Sequence, residues 1–227
     1  MHVQTVRHLA TLISNIAMNL SLALIERWLT GRSLARGLPL PFHNSGGLCV
    51  EVGAVRELRR HVFLDAGPAL QACAAQIQTP LIFLKAAVAP DVMRASLPNC
   101  WKIEDVAYLM RGPAAIPSNA ALPLSYHISL EAEHGGYVVR VIHASGNFAA
   151  LGRVAVDGGC AVFDQIVTEK AHRRLGLGTV VMLTLDAMAE KAGATERLLV
   201  ATEAGHALYE RLGWTVLAPW STAVLFD

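Results

Sequence analysis

A basic turn that contains two glycines is the part of this sequence best suited to binding a charged ligand. Residues 173–178 read RRLGLG; they follow an apolar, strand-like segment and lead into a helix-like one. Glycine leaves the backbone amides there open to a phosphate, and the first amides of a helix have no partner within it. Arg173 and Arg174 can add positive charge, and Thr179 a hydroxyl. The spacing indicates a site for a phosphate-bearing ligand, although a tight turn without a ligand fits the same residues.

Two common nucleotide-binding motifs do not match this turn. The dinucleotide fingerprint GxGxxG would need a third glycine at the position of Val181. The turn also lacks the Gly-Lys-Ser/Thr ending of a P-loop. Neither motif therefore identifies the ligand.

The segments around the turn predict a mostly antiparallel sheet. Four strand-like segments joined by tight turns precede it, at residues 126–133, 137–144, 149–156 and 160–168. After it we expect a helix at 177–192, a strand at 198–202, a helix at 204–212, and a hairpin of 214–217 with 222–226 around Pro219. The pattern predicts an α/β (α+β) fold in which helices flank the sheet.

The first half of the chain has a mixed pattern and no motif of its own. Helical periodicity predicts one or two helices over residues 3–36, ending near Gly37, and short strands and helices follow. Residues 112–123 contain three prolines, which indicates a linker. We therefore predict an N-terminal helical and α/β region, residues 1–120, and a second domain, residues 121–227.

Composition and charge restrict the classes of partner. Hydrophobic residues make up 53% of the 227 and charged residues 16%, as expected of a folded chain with a core. A formal net charge of +1 gives no overall attraction to nucleic acid or to an anionic membrane. The four cysteines form no CxxC pair, so we expect free thiols in a reducing cytoplasm. The nine histidines lack metal-ligand spacing, and no metal is expected.

Residues 9–25 are uncharged and apolar, so a membrane anchor has to be weighed. The segment is shorter than the roughly 20 residues that a spanning helix needs. It also carries Asn15 and Asn19, and Glu26 and Arg27 continue its helical pattern. We expect a buried or interface helix, and a membrane-associated interaction protein is kept as an alternative.

Two motifs in order give the turn a family context. Arg173, Gly176 and Gly178 match the pattern Arg/Gln-x-x-Gly-x-Gly/Ala, and residues 206–214 (HALYERLGW) are similar to a helix that reads ALYxxxGF. Following four strands, they resemble the acetyl-CoA-binding region of the GNAT superfamily of N-acetyltransferases over residues 122–227. The resemblance implies the GNAT fold, a mixed and mostly antiparallel sheet flanked by helices. It also implies an acetyl-CoA-dependent enzyme that acetylates an amine directly.

The resemblance implies roles for individual residues as well. Ile166, Val167 and Thr168 correspond to the strand whose backbone binds the pantetheine arm and the acetyl carbonyl. Tyr209 corresponds to a tyrosine near the sulfur that acts as general acid, with an ordinary core tyrosine as the alternative. The turn residues expected to bind the cofactor, chiefly its pyrophosphate, are Arg173, Arg174, Leu175, Gly176, Leu177, Gly178 and Thr179.

The general base is not identified by these motifs. Asp164 lies in an otherwise apolar strand just before the expected pantetheine-binding residues, and Glu203 lies at the end of the next strand. Either can accept the proton of an ammonium substrate, and either can be a paired or solvated carboxylate. Many GNAT relatives carry an asparagine before the second helix. Thr202 stands near that place here, and we expect it to replace that cofactor contact.

The acceptor is not specified by the sequence. Small amines, amino acids, antibiotics and protein N-termini all stay open, as does a homodimer. The first half fits either a degenerate GNAT-like half or a cap that completes the amine cleft. A CoA-binding regulatory protein without catalysis is the second alternative to the enzyme.

Overall fold

The computed structural model describes residues 20–225. Most of the apolar segment 9–25, and the start of the helix predicted over residues 3–36, lie outside these residues. The helices are α1 (Leu22–Arg36), α2 (Pro68–Gln76), α3 (Pro90–Ser96), α4 (Leu177–Lys191) and α5 (Glu203–Arg211), with a 3₁₀ turn at Lys170–His172. The strands are β1 (Phe42–Asn44), β2 (Gly47–Ala54), β3 (Glu57–Phe63), β4 (Ile82–Ala86), β5 (Trp101–Ile103), β6 (Ala107–Arg111), β7 (Tyr126–Glu133), β8 (Gly136–His143), β9 (Phe148–Asp157), β10 (Cys160–Thr168), β11 (Glu196–Thr202) and β12 (Thr215–Leu225).

The helix ends follow from local sequence. The Ser21 hydroxyl accepts a hydrogen bond from the Leu24 amide at 3.2 Å and so caps the start of α1. Gly37, at φ 65°, ends the same helix in the left-handed conformation, as the sequence predicts. Helices α2 and α3 both begin at a proline, which suits the first turn because its missing N–H has no helical partner to lose. Among residues 20–225, no helix combines the length and the apolar character needed to cross a membrane.

The strands form one continuous sheet. Its order is β1-β2-β3-β4-β12-β6-β11-β10-β9-β8-β7, and β5 pairs with β12 outside this order. The described pairs are antiparallel except for β3–β4 and β10–β11. Each parallel pair is connected through a helix, α2 in the first case and α4 in the second, as parallel strands require. The predicted mixed, mostly antiparallel sheet flanked by helices is confirmed.

The first half repeats part of the connectivity of the second half. Strands β2 and β3 form an antiparallel pair, and β3 then leads through α2 to the parallel strand β4. Strands β9 and β10 form an antiparallel pair, and β10 leads through α4 to the parallel strand β11. Strand β12 joins the two sets, and β6 lies between β12 and β11. This repetition is what a degenerate second half would have; the boundary at residue 120 stays a prediction.

The C-terminal segment differs from the predicted hairpin. Residues Thr215–Leu225 form a single strand through Pro219, so the prediction of two short strands there is wrong. Strand β12 pairs with β6 along its first part and with β4 only from Ser221 onward. Pro219 therefore lies where no ladder with β4 exists, and near a bulge between Val216 and Ala218. A missing N–H is tolerated at such a place, which is why the proline does not end the strand.

Strand β10 is covered by a helix on each face. Cys160 and Val162 belong to the apolar cluster that contains α1, whereas Ala161 and Phe163 belong to the cluster that contains α4. Helix α1 lies very close, because a β-carbon at Gly31 would collide with Val162. The alternation of side chains along the strand then directs Asp164 toward the α1 face.

Candidate active site

A break in the sheet creates the site. Strands β10 and β11 pair only over Cys160–Val162 and Glu196–Leu198, and they separate beyond these residues. The cause is a bulge in β10 between Asp164 and Val167, where Gln165 takes a φ of 53°. A bulge bends its strand, while β11 continues in register with β6 as far as Thr202. The backbone edges of the two parallel strands are thereby left facing a gap.

The gap opens into a cavity of about 930 Å³. Ile166 and Val167 line it from β10, Thr202 from β11, and Tyr209 from α5. The cavity also reaches residues of the first half, among them Arg32, Arg36 and Lys85. These three residues belong to no sequence motif. Arg32 and Arg36 stand four residues apart in a largely apolar helix, and that spacing was the only sequence signal they offered.

The basic turn presents the start of α4 as predicted. Gly176 is the N-cap at φ 78°, and no side chain caps the helix. A β-carbon at Gly176 would meet open space, so the glycine is required by its backbone conformation and leaves room for a ligand. At Gly178 a β-carbon would lie 3.1 Å from Leu208 Cδ2, so that glycine lets α5 approach α4. These uncapped amides fit the phosphates of a coenzyme.

The residues before the turn are held to β10. Arg173 Nε donates a hydrogen bond to the Thr168 carbonyl at 3.0 Å, so this arginine fixes the turn against the strand end. Arg174 has a φ of 63°, in the left-handed region. Leu175 is exposed, while Leu177 is buried in the core. The features that the structure shows in the predicted turn therefore concern the conformation of its backbone and not the charge of its side chains.

Tyr209 is buried where α5 meets the cavity. Its ring centroid lies 6.1 Å from that of Trp214, in the apolar cluster beneath α4. Burial raises the pKa of the Tyr209 hydroxyl above its usual value, and the negative charge of Asp164 adds to this effect. The hydroxyl therefore stays protonated at neutral pH, and it is able to donate a proton but not to accept one.

Asp164 is already paired. Arg36 donates to both of its carboxylate oxygens, from Nε to Oδ2 and from Nη2 to Oδ1 at 3.0 Å. Arg32 Nε lies 3.8 Å from Oδ1. Burial by itself would raise the pKa of Asp164, but the two arginines hold it below its ordinary value. A carboxylate held in this way is a weak proton acceptor, and it ties α1 to β10 across the first and second halves.

Glu203 is the less restrained of the two carboxylates that the sequence predicts as bases. It is exposed in the first turn of α5, and its Oε2 accepts a hydrogen bond from the Tyr108 hydroxyl at 2.6 Å. That hydrogen bond raises the pKa of Tyr108, so the tyrosine keeps its proton. Glu203 can thus accept a proton through its other oxygen.

Thr202 has a structural role at the start of α5. It is the N-cap of α5, and its hydroxyl oxygen accepts a hydrogen bond from the Gly205 amide at 3.3 Å. Its hydroxyl proton can still be donated toward the cavity that Thr202 lines. The predicted contact with the cofactor is compatible with this position and stays a prediction.

No candidate metal centre is found in this part of the molecule. Within residues 20–225, no three side chains of histidine, cysteine, aspartate or glutamate are grouped as ligands for an ion. The chemistry that the residues can support is acid–base chemistry, from Tyr209, Glu203 and Asp164, beside a helix start that suits an anion.

Comparison with known proteins supplies the context of this geometry. The sequence matches the model of the Acetyltransferase (GNAT) family over residues 96–214, more than half of the chain. A search of curated proteins finds no match. The fold is similar to a GCN5-related N-acetyltransferase from Kribbella flavida, with a TM-score of 0.63 and 14% identity, covering 92% of this chain and 97% of that one.

Two further solved structures share the fold. A putative acetyltransferase from the GNAT family of Novosphingobium aromaticivorans has a TM-score of 0.55 and 16% identity, covering 88% of this chain and 96% of that one. A GCN5-related N-acetyltransferase-like protein from Streptococcus suis has a TM-score of 0.55 and 13% identity, covering 80% of this chain and 84% of that one. At such identities the likeness concerns the fold alone.

Proposed function

Because the chain belongs to the GNAT acetyltransferase family, we propose that it transfers the acetyl group of acetyl-CoA directly to an amine. The observation that carries this proposal is the closeness of two features at the end of β10, where Arg173 and Gly178 of the turn lie against Thr168. The uncapped start of α4 suits the pyrophosphate, and the unpaired edge of β10 beside it suits the pantetheine arm. The acetyl group would then lie in the gap between β10 and β11, next to Tyr209.

Backbone groups would bind the donor. The pantetheine amides pair with the β10 edge at Ile166, Val167 and Thr168, which has no β11 partner. The amides at the start of α4 hold the pyrophosphate, and the partial positive charge of the helix start adds to the attraction. A backbone N–H of the bulged strand stabilises the oxyanion that forms when the amine attacks the thioester carbonyl.

Two side chains would move the protons. Glu203 takes the proton of the ammonium group, directly or through water, which leaves the amine nitrogen free to attack. The carbon–sulfur bond then breaks, and Tyr209 donates its proton to the leaving thiolate. The second proton of the attacking nitrogen passes, directly or through water, to the Tyr209 phenolate, which restores the tyrosine. Asp164 also lines the cavity, but its pairing with Arg36 suits it better to positioning the first half. Glu203 suits the role of base because it is exposed to solvent, to which it can pass the proton.

The compartment and partners follow from weaker signals. All four cysteines are free thiols, which supports a reducing cytoplasm. The near-zero net charge supports a small acceptor in preference to nucleic acid. No metal enters the proposed reaction.

Two linked measurements test the proposal. We expect calorimetric titration to show binding of acetyl-CoA, and much weaker binding of acetyl-pantetheine, which lacks the pyrophosphate. We expect release of CoA thiol when amines are added to the protein with acetyl-CoA. Binding without thiol release on any amine would favour a CoA-binding regulator instead, and equal affinity for both compounds would contradict the role of the α4 start.

A further inference from the structure

The cavity extends beyond the gap between β10 and β11 into the first half of the chain. Arg32 and Trp28 line it from α1, Lys85 from β4, and Trp220 and Thr222 from β12. Trp28 and Trp220 belong to the apolar cluster that contains α1, on the face of β10 opposite to α4 and its basic turn. They are therefore placed to contact the acceptor and not the donor.

Arg32 has an unused, buried hydrogen-bonding group at this place. Its Nη1 is buried and has no hydrogen-bond partner among the residues that the structure describes. Its Nε is 3.8 Å from Asp164, but both oxygens of that carboxylate already accept hydrogen bonds from Arg36. A buried guanidinium group without a full set of partners is costly, so a bound anion would relieve a cost that is already present.

The position of Arg32 is fixed before any ligand arrives. Its guanidinium carbon lies 5.8 Å from the ring centroid of Trp28, within the range of a cation–π contact. Trp28 in turn packs edge-on against Trp220, with ring centroids 4.8 Å apart. Such preorganisation reduces the entropy lost when a ligand is held.

Lys85 is a second cation in the cavity without a carboxylate of its own. Its Nζ donates a hydrogen bond to Thr222 Oγ1 at 2.9 Å, and no carboxylate of the described residues is paired with it within 4.0 Å. Burial, together with the nearby charge of Arg32, lowers the pKa of Lys85 to about 8. Two cations thus share a poorly solvated space.

The nearby carboxylates do not neutralise this pair. Both carboxylate oxygens of Glu57 accept hydrogen bonds from Arg60, at 2.7 Å each. Glu104 and Asp105 also line the cavity, but both are exposed, where solvent and salt weaken their effect. The inner wall of the cavity therefore carries more positive than negative charge, from Arg32, Arg36 and Lys85 against Asp164. The exposed rim carries three carboxylates and one cation, Lys102.

We propose that the cavity binds an amine acceptor that also carries an anionic group, a carboxylate or a phosphate, and that Arg32 and Lys85 hold this group. The inference rests on the proposed acetyltransferase function and names its substrate class. The aromatic wall of Trp28 and Trp220 would contact the carbon skeleton between the two charged ends of the acceptor. A bidentate carboxylate or phosphate would supply the partner that Arg32 Nη1 lacks.

Matched substrates test this inference on the unaltered protein. Amino acids are compared with their carboxamides, and phosphoethanolamine with ethanolamine, by kcat/KM at a fixed concentration of acetyl-CoA. For either the carboxylates or the phosphate, we expect kcat/KM to exceed that of the neutral counterparts by about tenfold or more. The neutral compound loses a hydrogen bond between charged groups. The two series distinguish carboxylate from phosphate. Equal kcat/KM within every pair would overturn the inference while leaving the acetyltransferase function intact.

Two substitutions locate the anion site. Arg32→Gln and Lys85→Met should each reduce the preference for the anionic member of a pair several-fold, with the KM for acetyl-CoA unchanged. Arg27→Gln is the matched control, because Arg27 lies on the same helix, is half-exposed and pairs with Glu196 at 3.0 Å outside the cavity. A purely structural role would instead lower the rates for both members equally and overturn the assignment.

The outcomes separate the two proposals. If acetyl-CoA binds but no amine of either kind is acetylated, the proposed function fails and the inference fails with it. If neutral amines are acetylated with the same kcat/KM as anionic ones, only the inference fails. Should Arg32→Gln no longer bind acetyl-CoA and so be misfolded, Lys85→Met and the substrate pairs still decide the matter.

Discussion

The two sides of the proposed site are built from different kinds of group. The proposed donor side, in the second half, consists of backbone: a bulged strand edge and an uncapped helix start at Gly176. The proposed acceptor side, which reaches the first half, consists of side chains: Arg32, Lys85 and two tryptophans. Recognition by backbone geometry tolerates sequence change, whereas recognition by side chains depends on the particular residues present.

The sharpest way to break this comparison is to block the helix start. Gly176→Glu should abolish binding of acetyl-CoA, because the residue has φ 78° and the new carboxylate would meet the phosphates. Calorimetric titration measures the effect. Gly193→Glu is the matched control: Gly193 has φ 80° and open space around it, just after the far end of the same helix. Unchanged affinity in Gly176→Glu would contradict the donor site.

The next largest effect should separate chemistry from binding on the donor side. Tyr209→Phe removes the proposed proton donor but keeps the ring, so we expect kcat to fall about 100-fold or more. The affinity for acetyl-CoA should stay unchanged by titration. Tyr137→Phe, on β8 and outside the cavity lining, serves as the control. Full activity in Tyr209→Phe would return this residue to a packing role.

The carboxylates should divide between stability and catalysis. Asp164→Asn removes one member of a buried ion pair, and we expect the free energy of unfolding to fall by about 3 kcal/mol. Because the folded-state pKa of Asp164 is lowered, its contribution is present at neutral pH and disappears as the pH falls through that pKa. The variant should therefore lose less stability in acid than the unaltered protein does.

Glu203→Gln is the comparison for that experiment. Glu203 is exposed, so its substitution should change the free energy of unfolding by less than about 0.5 kcal/mol. It should lower kcat instead, as removal of a base would. Chemical denaturation and steady-state kinetics on both variants measure the two effects. The reverse pattern would make Asp164 the base.

The smallest effect concerns the pH dependence of the acceptor side. The folded-state pKa of Lys85 is about 8, below that of an exposed lysine, so its charge opposes folding at neutral pH. Lys85→Met should therefore be more stable than the unaltered protein at pH 7 without ligand. The difference should shrink as the pH rises through about 8 toward about 10, where the unfolded lysine also loses its proton. Thermal unfolding across this range is the measurement, and a difference independent of pH would contradict it.

The sequence predicts the elements of the proposed donor side far better than those of the proposed acceptor side, for a physical reason. Strand β7, helix α4 and the glycine turn follow from local periodicity and from backbone requirements within a few residues. The pairing of Arg36 with Asp164 joins residues 128 positions apart, and no local pattern encodes it. The continuation of β12 through Pro219 likewise depends on which strands flank it. Contacts that depend on the assembled sheet could not be predicted from one sequence.

We propose that this protein transfers an acetyl group from acetyl-CoA, which backbone groups hold, to an amine, which side chains hold. Mass spectrometry of the products formed from acetyl-CoA and a mixture of anionic and neutral amines tests it most directly. We predict that acetylated amine and free CoA form in equal amounts. The acetylated products should be enriched in those from anionic amines, and Gly176→Glu should form no product. Free CoA without any acetylated amine, or the same products from Gly176→Glu, would contradict the account.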